Sequence, residues 1–277
     1  LSSSASSGIT GVNLFAGSSD NVTVTASDAS ADITQNTALT LGSGNLTLAA
    51  GRDVVLNGAI SKSSGAASAL TLDAGRDIKF NSNIQSTNNA LGLTADADRN
   101  VDGPGTLNLN GGALDITAGG SLYLGQIFAG NVKLEATTGD LTMDSGVDWR
   151  GTSFDLQAGG SIKGSDNAAS PVILVKQSGG TGNLSAKAGT AGTGSLNLLA
   201  SGSFNAMALE AEGNISLTDS VTATSLSLDA LGTISAPGAV NVGTFDLKSG
   251  TWSQLGGSLP AFSATDFRIS GGSFLRA

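Results

Sequence analysis

Two segments of the chain share one alternation of apolar and polar residues and align without gaps. Residues 45–60 read NLTLAAGRDVVLNGAI and residues 69–84 read ALTLDAGRDIKFNSNI, at an offset of 24 residues. In both, every second position is apolar on either side of an A-G-R-D step. A period of two is typical of a β-strand with one buried face. Each segment therefore predicts two short strands that are separated by a glycine turn.

Weaker copies of this frame recur along the chain and extend the prediction to most of its length. They lie at residues 113–125, 131–143, 153–164, 195–207, 208–217, 225–235 and 244–254. No window shows the i, i+3, i+4, i+7 apolar stripe of an amphipathic helix. We therefore predict an all-β protein in which helix is nearly absent.

The spacing of the copies selects among the β architectures. A propeller blade needs roughly 40–45 residues and a recurring aromatic signature, whereas these copies lie about 18–24 residues apart and aromatic residues make up 4% of the chain. A sandwich gives no physical reason for a repeated sequence, but a solenoid does, because equivalent residues of successive coils stack on one another. We predict a parallel β-helix of about 13 coils at ~21 residues per coil.

The repeat predicts one boundary, near residue 250. Residues 1–250 are expected to form the parallel β-helix rod, and residues 251–277 either its last coils or a transition to a following module. The latter range is rich in aromatic residues, namely Trp252, Phe262, Phe267 and Phe274. The chain begins at Leu1 without a signal peptide, so we expect it to be a piece of a longer protein.

Polar interruptions of the repeat are predicted to be loops, where binding sites of repeat proteins often lie. The longer ones are residues 96–105, 163–171 and 177–194.

Composition excludes several classes of chemistry. Cysteine and histidine are absent, which rules out a disulfide framework, a zinc finger and a Cys or His nucleophile. The net charge of −9 argues against a nucleic-acid partner. The longest uncharged stretch, residues 188–209, is broken by polar residues throughout, so membrane insertion is not expected. We predict no cofactor.

Asp53 and Asp77 follow the turn glycines of the two best copies, each beside an arginine, Arg52 or Arg76. A glycosidase needs two carboxylates at a defined separation across one bond, whereas the repeat spreads single acids along an edge. We interpret the aspartates as residues that tie down the turn, and the arginines as groups that neutralise the neighbouring acid. No catalytic residue is predicted, and we expect that the protein is not an enzyme.

Asp96, Asp98 and Asp102 are weak candidates for a metal site. Oxygen ligands at alternating positions can bind Ca²⁺. The run lacks both the D-x-D-x-D-G…E loop and the G-G-x-G-x-D nonapeptide of calcium-binding repeats. We therefore predict a solvated acidic loop and no bound metal.

Asp144, Asp148, Trp149 and Arg150 form the cluster that most resembles a binding site. An aromatic face beside a carboxylate and a guanidinium suits a sugar, whose CH groups stack on the ring while its hydroxyls take charged hydrogen bonds. The alternative is a tryptophan that covers the base of a loop. The first interpretation predicts an extracellular polysaccharide as ligand.

The strings LTLAAGRDVVLNGAI and LTLDAGRDIKFNSNI resemble the repeat regions of filamentous-haemagglutinin-type adhesins, which are large exoproteins of Gram-negative bacteria exported by two-partner secretion. Degenerate copies of the frame cover about residues 39–250. The string TWSQLGGSLPAFSATDFRISGGSFLRA resembles a segment found late in such adhesins, including biofilm-matrix adhesins. No Asn-Pro dipeptide occurs, so we expect this piece to lack the family's secretion domain, and the resemblance implies an interior or late part of the rod.

This resemblance implies a right-handed β-helix, a secreted or cell-surface location and a role in adhesion. It also implies an outer-membrane secretion partner for the full-length parent, and it supplies no catalytic residue.

Three functions follow as hypotheses. The leading one is a structural shaft of a large secreted bacterial surface adhesin, which attaches to a host or bacterial surface or to the biofilm matrix. The second is a module that binds extracellular polysaccharide through loops on one face of the β-helix. The third, a polysaccharide lyase or hydrolase, is disfavoured because paired carboxylates are not predicted.

Overall fold

The structure is a computed structural model that describes residues 2–5, 9–10, 19–165, 173–177, 182–254 and 259–276. Within these ranges the regular secondary structure consists of β-strands and no helix, and the prediction of an all-β fold is confirmed. It follows that the described part of the chain contains no helix able to cross a membrane. By contacts, the chain separates into two compact units, Leu1–Glu135 and Ala136–Ala277.

The strands of the first unit are short. They are β1 (Ser2–Ala5), β2 (Ile9–Thr10), β3 (Val22–Ala26), β4 (Ile33–Gln35), β5 (Leu39–Leu41), β6 (Leu46–Ala50), β7 (Val54–Leu56), β8 (Ile60–Lys62), β9 (Ser68–Ala74), β10 (Asp77–Phe80), β11 (Ile84–Ser86), β12 (Leu91–Ala97), β13 (Asn100–Gly103), β14 (Leu107–Asn108), β15 (Leu114–Ala118), β16 (Leu122–Leu124) and β17 (Ile127–Phe128). At the boundary lies β18 (Asn131–Ala136).

Several strands of the second unit are longer. They are β19 (Leu141–Met143), β20 (Trp149–Gly151), β21 (Ser153–Ala158), β22 (Ile162–Gly164), β23 (Ile173–Gln177), β24 (Leu184–Ala188), β25 (Leu196–Ser201), β26 (Ser203–Ala211), β27 (Ile215–Leu217), β28 (Val221–Ala230), β29 (Thr233–Ser235), β30 (Val240–Leu247), β31 (Thr251–Gln254), β32 (Phe262–Ile269) and β33 (Ser273–Arg276).

Three parallel ladders run through the first unit, so that each turn contributes one strand to each ladder. The turn formed by β6, β7 and β8 is followed by β9, β10 and β11, and each strand pairs in parallel with its counterpart in the next turn. This is the arrangement of a parallel β-solenoid, as the repeat predicts. The prediction of a parallel β-helix is confirmed.

The register within the first unit is the one that the sequence alignment predicts. Leu46 pairs with Leu70 and Leu48 with Leu72, and these four side chains are buried. Alternation along each strand directs them inward. The core of the unit is therefore a stack of like apolar side chains.

The inward side chains at equivalent positions of successive turns do not all have the same size. Gly103 lies beneath the ring of Phe80, where an added Cβ would be 2.7 Å from a ring carbon of Phe80 and 3.1 Å from a methyl carbon of Leu124. The Phe80 ring is fully buried. A missing side chain in one turn thus makes room for a large one in the turn before it.

The last turns of the second unit use one long and one short strand in place of three short ones. The first ladder runs through β24, β26, β28, β30 and β32, and the second through β25, β27, β29, β31 and β33. Strands β31 to β33 thus continue the parallel pairing beyond residue 250, while the boundary near that residue stays a prediction.

The number of turns is lower than expected, about 11 where we predict about 13. One reason is that several turns exceed ~21 residues. Paired residues Val22 and Leu46 are 24 residues apart, and Phe154 and Leu184 are 30 apart. Residues 195–207 are also wrongly interpreted as a copy of the frame, because Leu196 lies in the second ladder and pairs with Ile162 and Ile215.

All three predicted loops are partly strand. Residues 96–105 contain the end of β12 and all of β13, and residues 177–194 contain β24. Residues 163–171 contain the end of β22. Residues 166–171 and 178–181 of these predicted loops lie outside the described residues.

Candidate functional site

The tryptophan of the predicted sugar site points into the solenoid. Trp149, Arg150 and Gly151 form β20, and alternation turns the first and third residues inward and Arg150 outward. The Trp149 side chain is 0% exposed. Since a buried indole offers no ring face to a ligand, the stacking role proposed for Trp149 is wrong, and the ring is part of the core.

Asp148 and Arg150 do come together, and the structure adds a third group. The buried Asp148 carboxylate accepts a hydrogen bond from Arg150 Nη2 at 3.1 Å and lies 2.6 Å from Lys176 Nζ. Arg150 and Lys176 are partners in the β20–β23 register. Two partly exposed cations thus neutralise one buried carboxylate, which is the arrangement that a buried charge needs to be stable.

Asp144 has a local contact in the turn that leads to β20. Its Oδ1 accepts a hydrogen bond from the backbone N–H of Ser145 at 2.7 Å. The turn also contains Gly146 at φ +74°, a conformation that favours glycine. The four residues grouped by the sequence therefore separate into one turn residue, one core side chain and one ion-pair cluster.

The metal candidates Asp96, Asp98 and Asp102 are all exposed. Asp96 lies in β12 and Asp102 in β13, which belong to different ladders. Among the described residues there is no group of three or more acidic side chains that could hold a metal ion.

A ladder of ion pairs joins the turns of the first unit. The guanidinium of each turn pairs with the carboxylate of the preceding turn, and the pairs are Arg52 with Asp32, Arg76 with Asp53 and Arg99 with Asp77. We call these three pairs the Arg–Asp ladder. In the middle pair Arg76 Nε donates to Asp53 Oδ1 at 2.7 Å.

Each carboxylate of the Arg–Asp ladder also accepts a backbone hydrogen bond from the following turn. The N–H of Asp77 donates to Asp53 Oδ1 at 3.2 Å, and the N–H of Asn100 donates to Asp77 Oδ1 at 3.2 Å. The prediction that Asp53 and Asp77 tie down their own turns is wrong, because these bonds run between turns and because Arg52 pairs with Asp32 and not with Asp53. The carboxylates lock one turn to the next.

Arg52 and Arg99 lower the pKa of their partners. The hydrogen bond from Arg99 holds the pKa of the Asp77 carboxyl below its usual value, against the opposing effect of burial. The hydrogen bond from Arg52 does the same for the pKa of Asp32. Both groups are therefore charged at neutral pH and act as permanent acceptors.

Sequence reasoning misses Lys176 and a pocket in the last turns that is lined by Gln254 and three serines. Lys176 lies far from Asp148 along the chain, and only the turn length brings the two together. The serines could have been found as the outward position of the strings NISL, GTIS and TWSQ.

Comparison with known proteins gives no relative. No family model, no curated protein and no solved structure matches the chain. The conclusions about function rest on the solenoid itself and on its sequence.

Proposed function

We propose that the chain is a structural shaft of a large secreted bacterial surface adhesin that attaches cells to a surface or to the biofilm matrix. The observation that carries this proposal is the stacking of like turns in register, with Leu46 on Leu70 and Leu48 on Leu72. A stack of this kind transmits load along a continuous backbone ladder and adds a fixed rise for each turn, ~4.8 Å.

The Arg–Asp ladder also suits a load-bearing shaft. Several parallel strand pairs are supplemented by side-chain bonds that cross to the next turn, as between Arg76 and Asp53. Separating two turns therefore breaks backbone and side-chain bonds together, which raises the force that the stack resists.

The adhesin assignment draws its support from the resemblance of the strings LTLAAGRDVVLNGAI and LTLDAGRDIKFNSNI to filamentous-haemagglutinin-type repeats. In this proposal the parent chain crosses the outer membrane with a secretion partner and remains outside the cell. The chain itself is non-enzymatic, and its task is to position or join other surfaces.

The removal of one whole turn tests the shaft. Deleting residues 46–69 places Leu70 where Leu46 pairs with Val22, and brings Arg76 to the place of Arg52 beside Asp32. We expect this variant to keep its β-sheet circular dichroism and cooperative unfolding. The control deletes half of the same turn, residues 46–57, which breaks the register, and we expect it to unfold.

The adhesive role needs a cellular readout. Antibodies against the chain should label intact cells of the producing bacterium, and a strain without the parent protein should lose attached biomass. A parent protein with the one-turn deletion should restore attachment. Unlabelled intact cells, or attachment that is independent of the protein, would overturn the proposal.

A further inference from the structure

The chain contains two Asn-Gly dipeptides, Asn57–Gly58 and Asn110–Gly111, and each is preceded by a leucine. Both lie in the first unit, after β7 and after β14. In this dipeptide the asparagine side chain reacts readily with the next backbone nitrogen, because glycine has no side chain to hinder the approach. Asn57 and Asn110 are both exposed. Exposure therefore does not separate the two sites, and a difference between them has to come from their bonding.

The side-chain amide of Asn57 is held from two sides. Its Nδ2 donates to Asn36 Oδ1, and its Oδ1 accepts from Asn81 Nδ2, both at 2.8 Å. Since these partners belong to the turns before and after, the three amides form a row across three turns. Rotating the Asn57 amide toward its own backbone breaks both bonds.

The backbone nitrogen next to Asn57 is also engaged. The N–H of Gly58 donates to Gln35 Oε1 at 3.1 Å and to the carbonyl oxygen of Gln35 at 3.3 Å. Gln35 is buried. Because this nitrogen must leave both acceptors before it can act as a nucleophile, the turn has to open before Asn57 can react.

Asn110 and Gly111 lack this protection. They are the central residues of a turn that is closed by one hydrogen bond, from the N–H of Gly112 to the carbonyl oxygen of Leu109 at 3.0 Å. Within the described part of the chain the N–H of Gly111 donates no hydrogen bond. The Asn110 amide is held on one side only, where Nδ2 donates to the carbonyl oxygen of Asn89 at 3.3 Å.

The backbone at Asn110 is strained, and the space around Gly111 is empty. Asn110 has φ +49°, in the left-handed region that is costly for a residue with a side chain. A rearrangement of the turn relieves this cost. A Cβ added to Gly111 would meet no atom within 4 Å, whereas one added to Gly58 would lie 2.5 Å from the backbone of Thr37. The first turn therefore has room to rearrange, and the second does not.

We propose that Asn110 is a site of spontaneous deamidation in the folded protein and that the fold protects Asn57. The nitrogen of Gly111 attacks Cγ of Asn110 and forms a C–N bond. The Cγ–Nδ2 bond breaks, and ammonia leaves with the proton of the Gly111 amide. Water then opens the resulting succinimide at either of its carbonyl carbons. One opening gives aspartate, and the other gives isoaspartate, in which the backbone runs through the side chain.

Both products add a negative charge to the turn between β14 and β15, and isoaspartate also lengthens its backbone by one carbon. The preceding strand is short, since β14 pairs with β17 through Leu107 and Asn108 alone. We expect a longer turn to loosen this pairing locally. Because the ammonia is lost to solvent, the converted fraction rises with the age of the molecule. This inference goes beyond the shaft function and does not depend on it.

Incubation of the folded chain in mildly alkaline buffer, followed by proteolysis and mass spectrometry, tests the proposal. We expect the Asn110 peptide to gain the mass of an amide-to-acid conversion at least about 10-fold faster than the Asn57 peptide. Isoaspartate should be found at position 110. In guanidinium chloride the two rates should converge, because the two Leu-Asn-Gly segments have the same local chemistry once the turns are lost.

A matched pair of variants assigns the product. Asn110→Gly keeps a residue that tolerates positive φ and should lose most of the isoaspartate that forms in the folded chain. Asn57→Gly should form as much as the parent chain. The proposal is overturned if the two peptides of the folded parent chain convert at equal rates, or if Asn110 converts only after unfolding. It is also overturned if the difference persists in guanidinium chloride, or if Asn110→Gly forms as much isoaspartate as Asn57→Gly.

Discussion

In both units a side chain of one turn accepts a backbone N–H of the next turn, but the type of side chain varies along the chain. This side chain precedes the first inward residue of the ladder that runs through β4, β7 and β10 in the first unit and through β19, β22 and β25 in the second. In the first unit it is an acid at Asp32, Asp53 and Asp77 but neutral at Asn100 and Ser121, and in the second unit it is an acid at Asp140 but neutral at Ser161, Ser195 and Asn214. In both units its oxygen accepts the N–H of the equivalent residue one turn later, at 3.2 Å from Asp53 and at 3.1 Å from Ser161.

Both units therefore share a side-chain oxygen that accepts the N–H of the next turn. The negative charge of that acceptor is an additional feature of the aspartates. Ser195 Oγ accepts the N–H of Asn214 at 3.1 Å, and Asn214 Oδ1 accepts that of Thr233 at 2.8 Å, without a guanidinium. A backbone N–H needs one acceptor, and either kind of side chain supplies it. The arginines of the first unit make a second bond across turns and so join a larger surface of the neighbouring coil.

The largest loss of stability is expected where one carboxylate accepts both a backbone N–H and a guanidinium. Asp77→Ala leaves the N–H of Asn100 and the guanidinium of Arg99 without their acceptor, and should cost about 2–3 kcal/mol of the free energy of unfolding. Urea unfolding measures this, and hydrogen exchange of the Asn100 amide locates it. The control Asp96→Ala changes an exposed acid of the same unit and should be nearly neutral. Equal losses in both variants would contradict the assigned role.

Acid should weaken the first unit before the second. The pKa of Asp32 and Asp77 is lowered in the folded state from an ordinary value of 3.8. Their contribution is thus complete above that pH and is lost as the pH falls through the lowered value. Exchange protection of the Asp53 and Asn100 amides should decline below about pH 4.

The Asn214 amide, whose acceptor is the Ser195 hydroxyl, supplies the internal reference. Its opening free energy should not change over the same range of pH. A parallel decline at Asn214 would mean that the carboxylates of the first unit are not responsible.

A smaller loss of stability is expected where the acceptor between turns is an uncharged hydroxyl. Ser161→Ala removes the acceptor of the Ser195 N–H and should cost about 1 kcal/mol in urea unfolding. Ser161→Thr keeps a hydroxyl and should retain most of the stability. If Ser161→Ala costs as much as Asp77→Ala, the charge adds nothing and the contrast between charged and neutral acceptors disappears.

The smallest loss of stability is expected for the partly exposed arginines of the Arg–Asp ladder. Arg76→Lys keeps the charge but loses the paired bonds to Asp53, and the Arg76 side chain is 40% exposed. We expect a lower melting temperature, by less than the decrease for Asp77→Ala, and a difference from the parent chain that shrinks in high salt. An effect that does not depend on salt would indicate lost packing of the arginine stem.

The sequence predicts the middle of the first unit well because residues 45–60 and 69–84 align without gaps around the same A-G-R-D step. Ile78 on Val54 and Ile84 on Ile60 are the pairs that the alignment gives. It fails at Leu196, where apolar alternation is the same in both ladders and the polar turn that would set the phase is not distinctive. Alternation identifies strands but does not say which face of the coil they belong to.

The candidate site is harder to predict for a related reason. Trp149 follows a turn, so its inward direction depends on where β20 begins, and that start depends on Gly146 and its neighbours. The partnership of Asp148 with Lys176 depends on the length of an irregular turn. The pocket at Gln254 depends on the path of the chain around a corner. Composition and periodicity do not encode these quantities.

The fit of Phe80 over Gly103 limits how such a stack can change. If the turn that carries Phe80 were duplicated next to itself, two rings would compete for the space that now holds one, because the glycine that accommodates the ring would be displaced by a turn. Turns that look alike from outside are thus not interchangeable. The sizes of the buried side chains fix the order of the turns. Lengthening the solenoid by duplicating a turn must therefore be followed by compensating changes in side-chain volume.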